Sequence, residues 1–327
     1  MKDTIKKLVE AWGPSGFEHQ VRALIRDEVK GLADDIRVDA LGNLICRMGS
    51  GDVRIMVAAH MDEIGLMVSH VDEQGFLRFT GIGGLMPRAL YANRVRFENG
   101  VVGVIAAEGT AWDKAPKYDE CYIDVSTGDD ADAGVNVGDA AAFWRTMEVR
   151  GNRLVAKSMD DRIGCAVAIE AMRKLKKTAH EVYFVFTVQE EVGLRGARPS
   201  AFGLDPHFGI SVDVTGTGDT PKGVKMAVEL GKGAAIKVRD GGHLVPPGIK
   251  NLMVKRAEEA KIPYQLEVLP GGTTDASGIQ LSRAGVPSGC ISIPTRYLHT
   301  VSETVDLRDV SACVDLLAEV LSKPFEA

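Results

Sequence analysis

The chain has 327 residues, of which 45% are hydrophobic and 26% charged, a composition typical of a globular protein. Its formal net charge of −6 gives no overall basic field, so we expect neither nucleic acid nor an anionic membrane as a partner. No apolar run approaches the roughly 20 residues that span a bilayer, and residues 1–7 lead into a helical pattern instead of a secretory signal. The five cysteines are scattered and never have C-x-x-C spacing, which predicts reduced, buried thiols and a cytoplasmic protein.

Two amphipathic helices are predicted at the start of the chain, separated by a break at residues 13–16. A short hairpin follows, with strands at 36–38 and 44–46 around a turn that contains Gly42 and Asn43. Because apolar residues recur at the spacing of a helix face, these helices most simply cover one side of a sheet. The residues that define the two faces are Ile5, Leu8, Val9 and Trp12, then Val21, Leu24, Ile25 and Val29.

The first motif with chemical content follows a buried strand predicted over residues 54–59, which ends in His60-Met61-Asp62. In an extended segment His60 and Asp62 point to the same side, because side chains alternate. A carboxylate beside an imidazole can fix its orientation, as carboxylates do behind metal-binding histidines. A single motif of this kind more often marks a histidine with only a structural role, so it gains weight only from similar motifs elsewhere.

From about residue 67 to residue 158 the pattern changes to short β-like runs separated by turns, without helical periodicity. We therefore predict a small β domain at 67–158 inserted into an α/β domain formed by 1–66 and 159–327. Gly81-Ile82-Gly83-Gly84 is predicted to be a turn and not a dinucleotide fingerprint, because it neither follows a long buried strand nor opens a helix. A second, acidic turn is predicted at 128–132.

The α/β pattern resumes at two adjacent aspartates, Asp160 and Asp161, which precede a helix rich in small residues. Asp161 is predicted to cap that helix, and Asp160 is the better ligand candidate. The next strand, predicted over 183–188, leads to Glu190 and Glu191. Two neighbouring acids at the edge of an apolar core repel each other and are poorly solvated, so a divalent metal is the simplest partner for them.

Two further strands lead to candidate ligands. The strand predicted over 208–214 contains Asp213 near its end, and the last core strand leads into His299. Asp275 is predicted to have only a structural role at the start of a helix. Each of these positions has an ordinary structural interpretation when judged alone. Open α/β sheets nevertheless place their sites outside the carboxyl ends of their strands, where several of these side chains would meet.

Taken together, the candidates predict a centre with two metal ions. Two histidines with carboxylates suit borderline divalent ions such as zinc or cobalt, and one carboxylate can bridge them. A metal pair can bind both a water and a carbonyl oxygen, which is the chemistry of amide hydrolysis. One glutamate is then free to act as a base. The candidate set is His60, Asp160, Glu190, Glu191, Asp213 and His299.

Four motifs resemble those of the M42 family of metallo-aminopeptidases, which includes the tetrahedral TET peptidases. They are residues 59–65, 160–164, 189–193 and 298–300, and with the break at 13–16 they cover nearly the whole chain. The resemblance implies an α/β fold with a mixed, largely parallel sheet, helices on both of its faces and an inserted β-barrel-like domain.

The resemblance also implies a metal-ligand set. His60 and Asp213 would hold one ion, Glu191 and His299 would hold the other, and Asp160 would bridge the two. Zinc or cobalt is expected in both positions.

The remaining implications concern catalysis and assembly. Glu190 would be the general base, and Asp62 would orient the first histidine ligand. The enzyme would use a metal-activated water to remove N-terminal residues from short peptides. Family resemblance further implies a homo-oligomer, a tetrahedral dodecamer assembled through the β insertion and neighbouring surfaces. The preferred N-terminal residue is not fixed by these motifs.

Two other functional classes stay open at this point, and a glucanase is disfavoured. An N-acyl amino acid deacylase or a dipeptidase of the same fold would share every ligand and differ only in its pocket. A non-catalytic assembly protein with structural metals is disfavoured, because Glu190 would have no purpose in it. A glucanase would need two acids beside a cleft lined with aromatic rings, which suits neither the metal ligands nor the 6% aromatic content. In carboxypeptidase-like relatives the extra domain falls between the fourth ligand and the last histidine, whereas here the β insertion lies between Asp62 and Asp160, which favours M42.

Overall fold

The structure is a computed structural model that describes residues 1–109, 116–126 and 133–325. The acidic turn predicted at 128–132 lies outside the described residues. The helices of the described part are α1 (Lys2–Glu10), α2 (His19–Glu28), α3 (Met159–Lys174), α4 (Ala197–Leu204), α5 (Pro247–Glu259), α6 (Asp275–Gln280) and α7 (Leu307–Ser322).

The strands of the described part begin with β1 (Asp35–Val38), β2 (Leu44–Met48) and β3 (Arg54–His60). Those that follow are β4 (Gly65–Val71), β5 (Leu77–Ile82), β6 (Arg94–Phe97), β7 (Val102–Ala107), β8 (Cys121–Asp124), β9 (Ala140–Phe143), β10 (Glu148–Arg150) and β11 (Arg153–Ala156). The remaining strands are β12 (Glu181–Thr187), β13 (Phe208–Thr215), β14 (Ala234–Arg239), β15 (Tyr264–Val268), β16 (Ser288–Arg296) and β17 (Glu303–Asp306).

Eleven of these strands form one large mixed sheet. Its order is β1-β2-β12-β3-β13-β16-β17-β11-β10, with β14 paired to β16 and β15 paired to β14. The parallel pairs are β12–β3, β3–β13, β13–β16 and β14–β15, and the other neighbouring strands pair in antiparallel fashion. The predicted mixed α/β fold is confirmed, with its parallel strands concentrated in the centre of the sheet.

Helices cover both faces of the sheet, as the packing of β3 shows. Successive residues of this strand point to opposite sides. Val57 and Ala59 belong to the main apolar core, which includes buried residues of α1, α3 and α7. Met56 and Ala58 face the other way, into a smaller core with α4 and α6. A strand that is buried on both faces needs a continuous apolar sequence, as β3 has.

The strands from β4 to β9 close a six-stranded barrel in the order β4-β5-β8-β7-β6-β9. The barrel has a separate apolar core that includes Phe97 and Ile123. Gly81 and Ile82 are the last residues of β5, so the turn predicted to contain them starts only at Gly83. Strand β10 pairs with β11, and β11 pairs with β17 of the large sheet. The division into two domains at 66/67 and 158/159 stays a prediction.

Two further observations bear on the sequence analysis. All five cysteines are buried and form no disulfide, as their spacing predicted. Among the helices of the described residues, none has both the length and the apolar character that crossing a bilayer requires.

Candidate active site

Six of the predicted site side chains line a single cleft of about 330 Å³. They meet because the central parallel strands bring their carboxyl ends to the same edge of the sheet. β3 ends at His60, β12 leads into the adjacent glutamates, and β13 carries Asp213. The loop after β16 supplies His299, and Asp160 lies at a kink before the regular part of α3. The two glutamates after β12 are Glu190 and Glu191.

Asp160 lies between the two histidines. Its Oδ1 is 3.0 Å from Nε2 of His60, and its Oδ2 is 3.4 Å from Nε2 of His299. Oε2 of Glu191 is 3.6 Å from the same nitrogen of His299, and Oε2 of Glu190 is 3.9 Å from Nε2 of His60. A carboxylate that turns each of its oxygens toward a different histidine is arranged to connect two metal positions.

Both histidines are oriented through their Nδ1 atoms. Nδ1 of His60 lies 3.2 Å from the backbone oxygen of Asp62 and 3.4 Å from its Oδ1, and Nδ1 of His299 lies 2.6 Å from the backbone oxygen of Gly84. Because a carbonyl oxygen can only accept, Nδ1 donates in both rings. The Nε2 atoms face the cleft and the oxygens of Asp160, where a metal ion can take the place of the Nε2 proton.

Asp62 organises more of the site than the sequence indicated. Its Oδ1 accepts from the backbone nitrogen of Glu190 at 3.0 Å, and its Oδ2 accepts from that of Glu191 at 3.1 Å. Oδ2 also accepts from Oγ of Ser15 at 2.6 Å. Burial raises the pKa of Asp62, but the hydrogen bonds from His60 and Ser15 outweigh burial and lower it. Asp62 is thus a charged residue that fixes both glutamates and one histidine.

The cleft gathers more acids than its own residues can keep ionised. Burial, reinforced by the charge of Asp160, raises the pKa of both Glu191 and Asp213 to about 8. Burial raises the pKa of Glu190 well above its ordinary value, and Oε1 of Glu191 is buried without a hydrogen-bond partner among the described residues. The one lysine or arginine in the described lining, Lys237, forms an ion pair with the buried Glu267. These residues therefore fit divalent cations, which would supply the missing positive charge.

Two sets of donor atoms each lie within 4.8 Å of one another. One set comprises His60, Asp160 and Glu191, and the other comprises His60, Asp161 and Asp213. Both oxygens of Asp161 already accept backbone hydrogen bonds, from Gly164 at 3.0 Å and from His60 at 3.2 Å. The bond from Gly164 confirms that Asp161 caps the regular part of α3. We therefore interpret Asp161 as a support of the site and not as a ligand.

Two buried acids beside the site were not predicted as part of it. Oδ2 of Asp275 accepts from Oγ1 of Thr187 at 2.5 Å, so this carboxylate supports the end of β12, where a purely local helix cap was expected. Glu303 accepts from the backbone nitrogens of two candidate ligands. The contact of Ser15 with Asp62 was also missed, because nothing in the sequence links residues so far apart.

A sequence comparison decides the family. The model of the M42 glutamyl aminopeptidase family matches residues 42–316. The chain belongs to the M42 peptidase family. It is an aminopeptidase and thus a hydrolase of peptide bonds, as its named relatives are.

Relatives of this M42 aminopeptidase match it over nearly its whole length. A lysyl aminopeptidase from Pyrococcus furiosus is 37% identical, over 98% of this chain and 96% of the relative. An aminopeptidase structure from the archaeon Desulfurococcus kamchatkensis is 40% identical with a TM-score of 0.93, over 98% of this chain and 94% of the other. The TET1 peptidase of Pyrococcus horikoshii, which can assemble into a tetrahedron or a large octahedral shell, is 33% identical with a TM-score of 0.88, over 99% of both chains.

Proposed function

We propose that this M42 aminopeptidase uses two divalent metal ions to remove N-terminal residues from short peptides. One observation carries the proposal, namely the position of Asp160 between two histidines whose Nε2 atoms face its two oxygens. The donor set suits this interpretation because it combines imidazole nitrogens with carboxylates, the ligands that zinc and cobalt accept.

In the proposed centre, His60 and Asp213 hold one ion and Glu191 and His299 hold the other. Asp160, whose two oxygens face different histidines, would be shared by the two positions. When bound, such an ion pair polarises the peptide carbonyl and lowers the pKa of water, which the protein alone cannot do.

The residues of the chain then have to place and move a proton. Glu190 is the one acid of the cleft not assigned to a metal position, and its Oε2 lies 3.9 Å from Nε2 of His60. In the proposed reaction an Oε atom of Glu190 accepts a proton from the attacking water and then gives it to the leaving amine. Asp62 keeps this carboxylate in place, because Oδ1 of Asp62 accepts from the backbone nitrogen of Glu190.

The proposed requirement for a free α-amino group separates this reaction from that of a deacylase. A peptide and its N-acetylated form are incubated with the protein, and the released amino acids are quantified for a panel of first residues. Cleavage is expected only for the free peptides, because the amine has to dock beside the metals. Equal hydrolysis of blocked peptides or of N-acyl amino acids would favour the deacylase, and cleavage limited to dipeptides would favour the dipeptidase.

We also propose that the chain forms a homo-oligomer, a tetrahedral dodecamer in which the barrel contributes to the contacts. Support comes from the TET1 peptidase of Pyrococcus horikoshii, whose fold this chain shares over its whole length. The five unpaired, buried cysteines support a cytoplasmic location for it.

A further inference from the structure

A buried glutamate on β17 contacts two of the candidate metal ligands without facing the cleft that they line. Glu303 is the first residue of the strand and is only 2% exposed. Opposite it on β11 lies Ala156, shortly before the segment that leads into Asp160. Glu303 therefore lies at the boundary between the large sheet and the candidate site.

Each carboxylate oxygen of Glu303 accepts one backbone hydrogen bond from a different candidate ligand. Oε2 accepts from the nitrogen of Asp160 at 3.0 Å, and Oε1 accepts from the nitrogen of His299 at 2.8 Å. These ligands come from separate parts of the chain, one in the non-helical first turn of α3 and the other after β16. One side chain thus connects two backbone segments that are distant along the chain.

The backbone around both ligands needs such support because it is irregular. His299 has a positive φ of 57°, a conformation that residues other than glycine adopt only where the surroundings hold it. Asp160 lies in the non-helical first turn of α3, with φ −76° and ψ 108°. Neither nitrogen belongs to a regular hydrogen-bond ladder, and a buried backbone donor left without an acceptor is costly.

Burial of a carboxylate at this position costs folding free energy, which argues that the geometry of its two acceptor oxygens matters. Within the described ranges, Glu303 forms no ion pair with any lysine, arginine or histidine that would offset its desolvation. An uncharged side chain would avoid that cost. A glutamine, however, offers only one acceptor oxygen, and its amide group would face the second backbone nitrogen, donor against donor.

We propose that Glu303 is a positioning residue. It holds Asp160 and His299 at the spacing needed to bind the metal ion of the Glu191 and His299 position. The proposal rests on the proposed two-metal function and assigns part of the affinity for one ion to a residue that does not touch it. The position that contains Glu191 and His299 depends most on Glu303, because both the bridging ligand and a terminal ligand of that ion are held by it. The position of His60 and Asp213 depends on it only through Asp160.

The test compares Glu303→Gln with a matched acid-to-amide change on the same strand, Asp306→Asn. Asp306 is also buried, but its carboxylate contacts Arg153 and Arg308 and no candidate metal ligand. Metal-stripped full-length proteins are titrated calorimetrically with Zn²⁺ and with Co²⁺, and their folding is checked by circular dichroism. Glu303→Gln should weaken one of two binding steps by about 10- to 100-fold, the usual effect of losing a residue that orients a ligand. Asp306→Asn should leave both steps unchanged.

The possible results separate this proposal from the proposed function. A Glu303→Gln protein that binds both ions as tightly as the wild type would overturn the positioning role, as would an equal weakening in Asp306→Asn. A wild-type protein that binds no pair of ions would overturn the two-metal function itself, and the positioning role with it. If Glu303→Gln does not fold, Glu303→Asp is tested instead. Its shorter side chain withdraws the carboxylate from the two backbone nitrogens by about one carbon–carbon bond, roughly 1.5 Å. The same loss of one binding step is then expected.

Discussion

The imidazole of His299 donates from Nδ1 to the backbone oxygen of Gly84, over a distance of 2.6 Å. This bond links a candidate ligand of the large sheet to the loop after β5 of the barrel. A Cβ atom at Gly84 would lie 3.0 Å from Nδ1 and 3.1 Å from Cε1 of His299. The φ of Gly84 is not positive, so the close approach of the ring, and not the backbone conformation, explains the glycine.

The first prediction follows from this contact. Gly84→Ala should push the His299 ring away by a few tenths of an ångström, because the ring is the nearest obstacle to the new methyl group. We expect the affinity for one metal ion to fall by about 10-fold or more, with the fold intact. Calorimetric metal titration, together with circular dichroism, measures both quantities.

A matched control for this substitution lies in α4. Gly203 has open space around its Cβ position, so Gly203→Ala should leave metal binding unchanged. If Gly84→Ala binds both ions as the wild type does, the ring can adjust freely and the contact does not position it.

The second prediction concerns the protein after its metals have been removed by a chelator. Burial raises the pKa of Glu191, Asp213 and Glu303 to about 8 each, from about 4 in an unfolded chain. The folded state therefore binds more protons than the unfolded state between these values, and its stability falls as the pH rises through this window. His299 acts in the same direction, because its acidic neighbours outweigh its burial and raise its pKa to about 10.

We therefore expect the Tm of the metal-free protein to decrease between pH 5 and pH 8. Addition of Zn²⁺ should raise the Tm more at pH 8 than at pH 5, because the ions then stabilise ionised ligands that otherwise repel one another. Thermal unfolding followed by circular dichroism at several pH values checks this. A Tm of the metal-free protein that rose over this window would contradict the electrostatic description of the cleft.

Sequence patterns predicted the main sheet, the insertion and the acids at strand ends because each of these is a local property. A buried strand followed by a carboxylate can be recognised without knowing its neighbours, as at Glu190 or Asp213. The supporting contacts could not be predicted in this way. Ser15, Gly84 and Glu303 act on residues that are distant along the chain or through backbone atoms, and no periodicity marks them.

The third prediction concerns the proposed assembly. The barrel exposes several apolar side chains, and those on β7 include Val102 and Val104, which are 37% and 44% exposed and point to the same side of the strand. If the barrel forms subunit contacts, Val104→Asp should yield smaller particles than the wild type in multi-angle light scattering. Val38→Asp, at a similarly exposed valine on β1, should leave the particle size unchanged. A wild-type protein that is monomeric and fully active at micromolar concentration would exclude the proposed dodecamer.

The fourth prediction concerns Glu191, which is proposed to be a metal ligand. Glu191→Gln replaces a charged oxygen donor by a neutral amide and keeps the size of the side chain. One of the two ions should therefore bind more weakly, so that metal content and activity fall together. Metal analysis after gel filtration, combined with steady-state kinetics, measures this joint loss. An unchanged metal content would remove Glu191 from the ligand set.

The last prediction concerns Glu190, the adjacent acid, which is proposed to carry the proton. Glu190→Gln keeps the size and hydrogen-bonding reach of the side chain but cannot accept a proton from the attacking water. Both ions should therefore remain bound while kcat falls by about 10²- to 10⁴-fold, the usual contribution of a general base. KM should change much less, because the missing interaction belongs to the transition state and not to peptide binding. A Glu190→Gln protein that lost its metals would show that the two glutamates have the opposite roles, and near-normal turnover would show that another group accepts the proton.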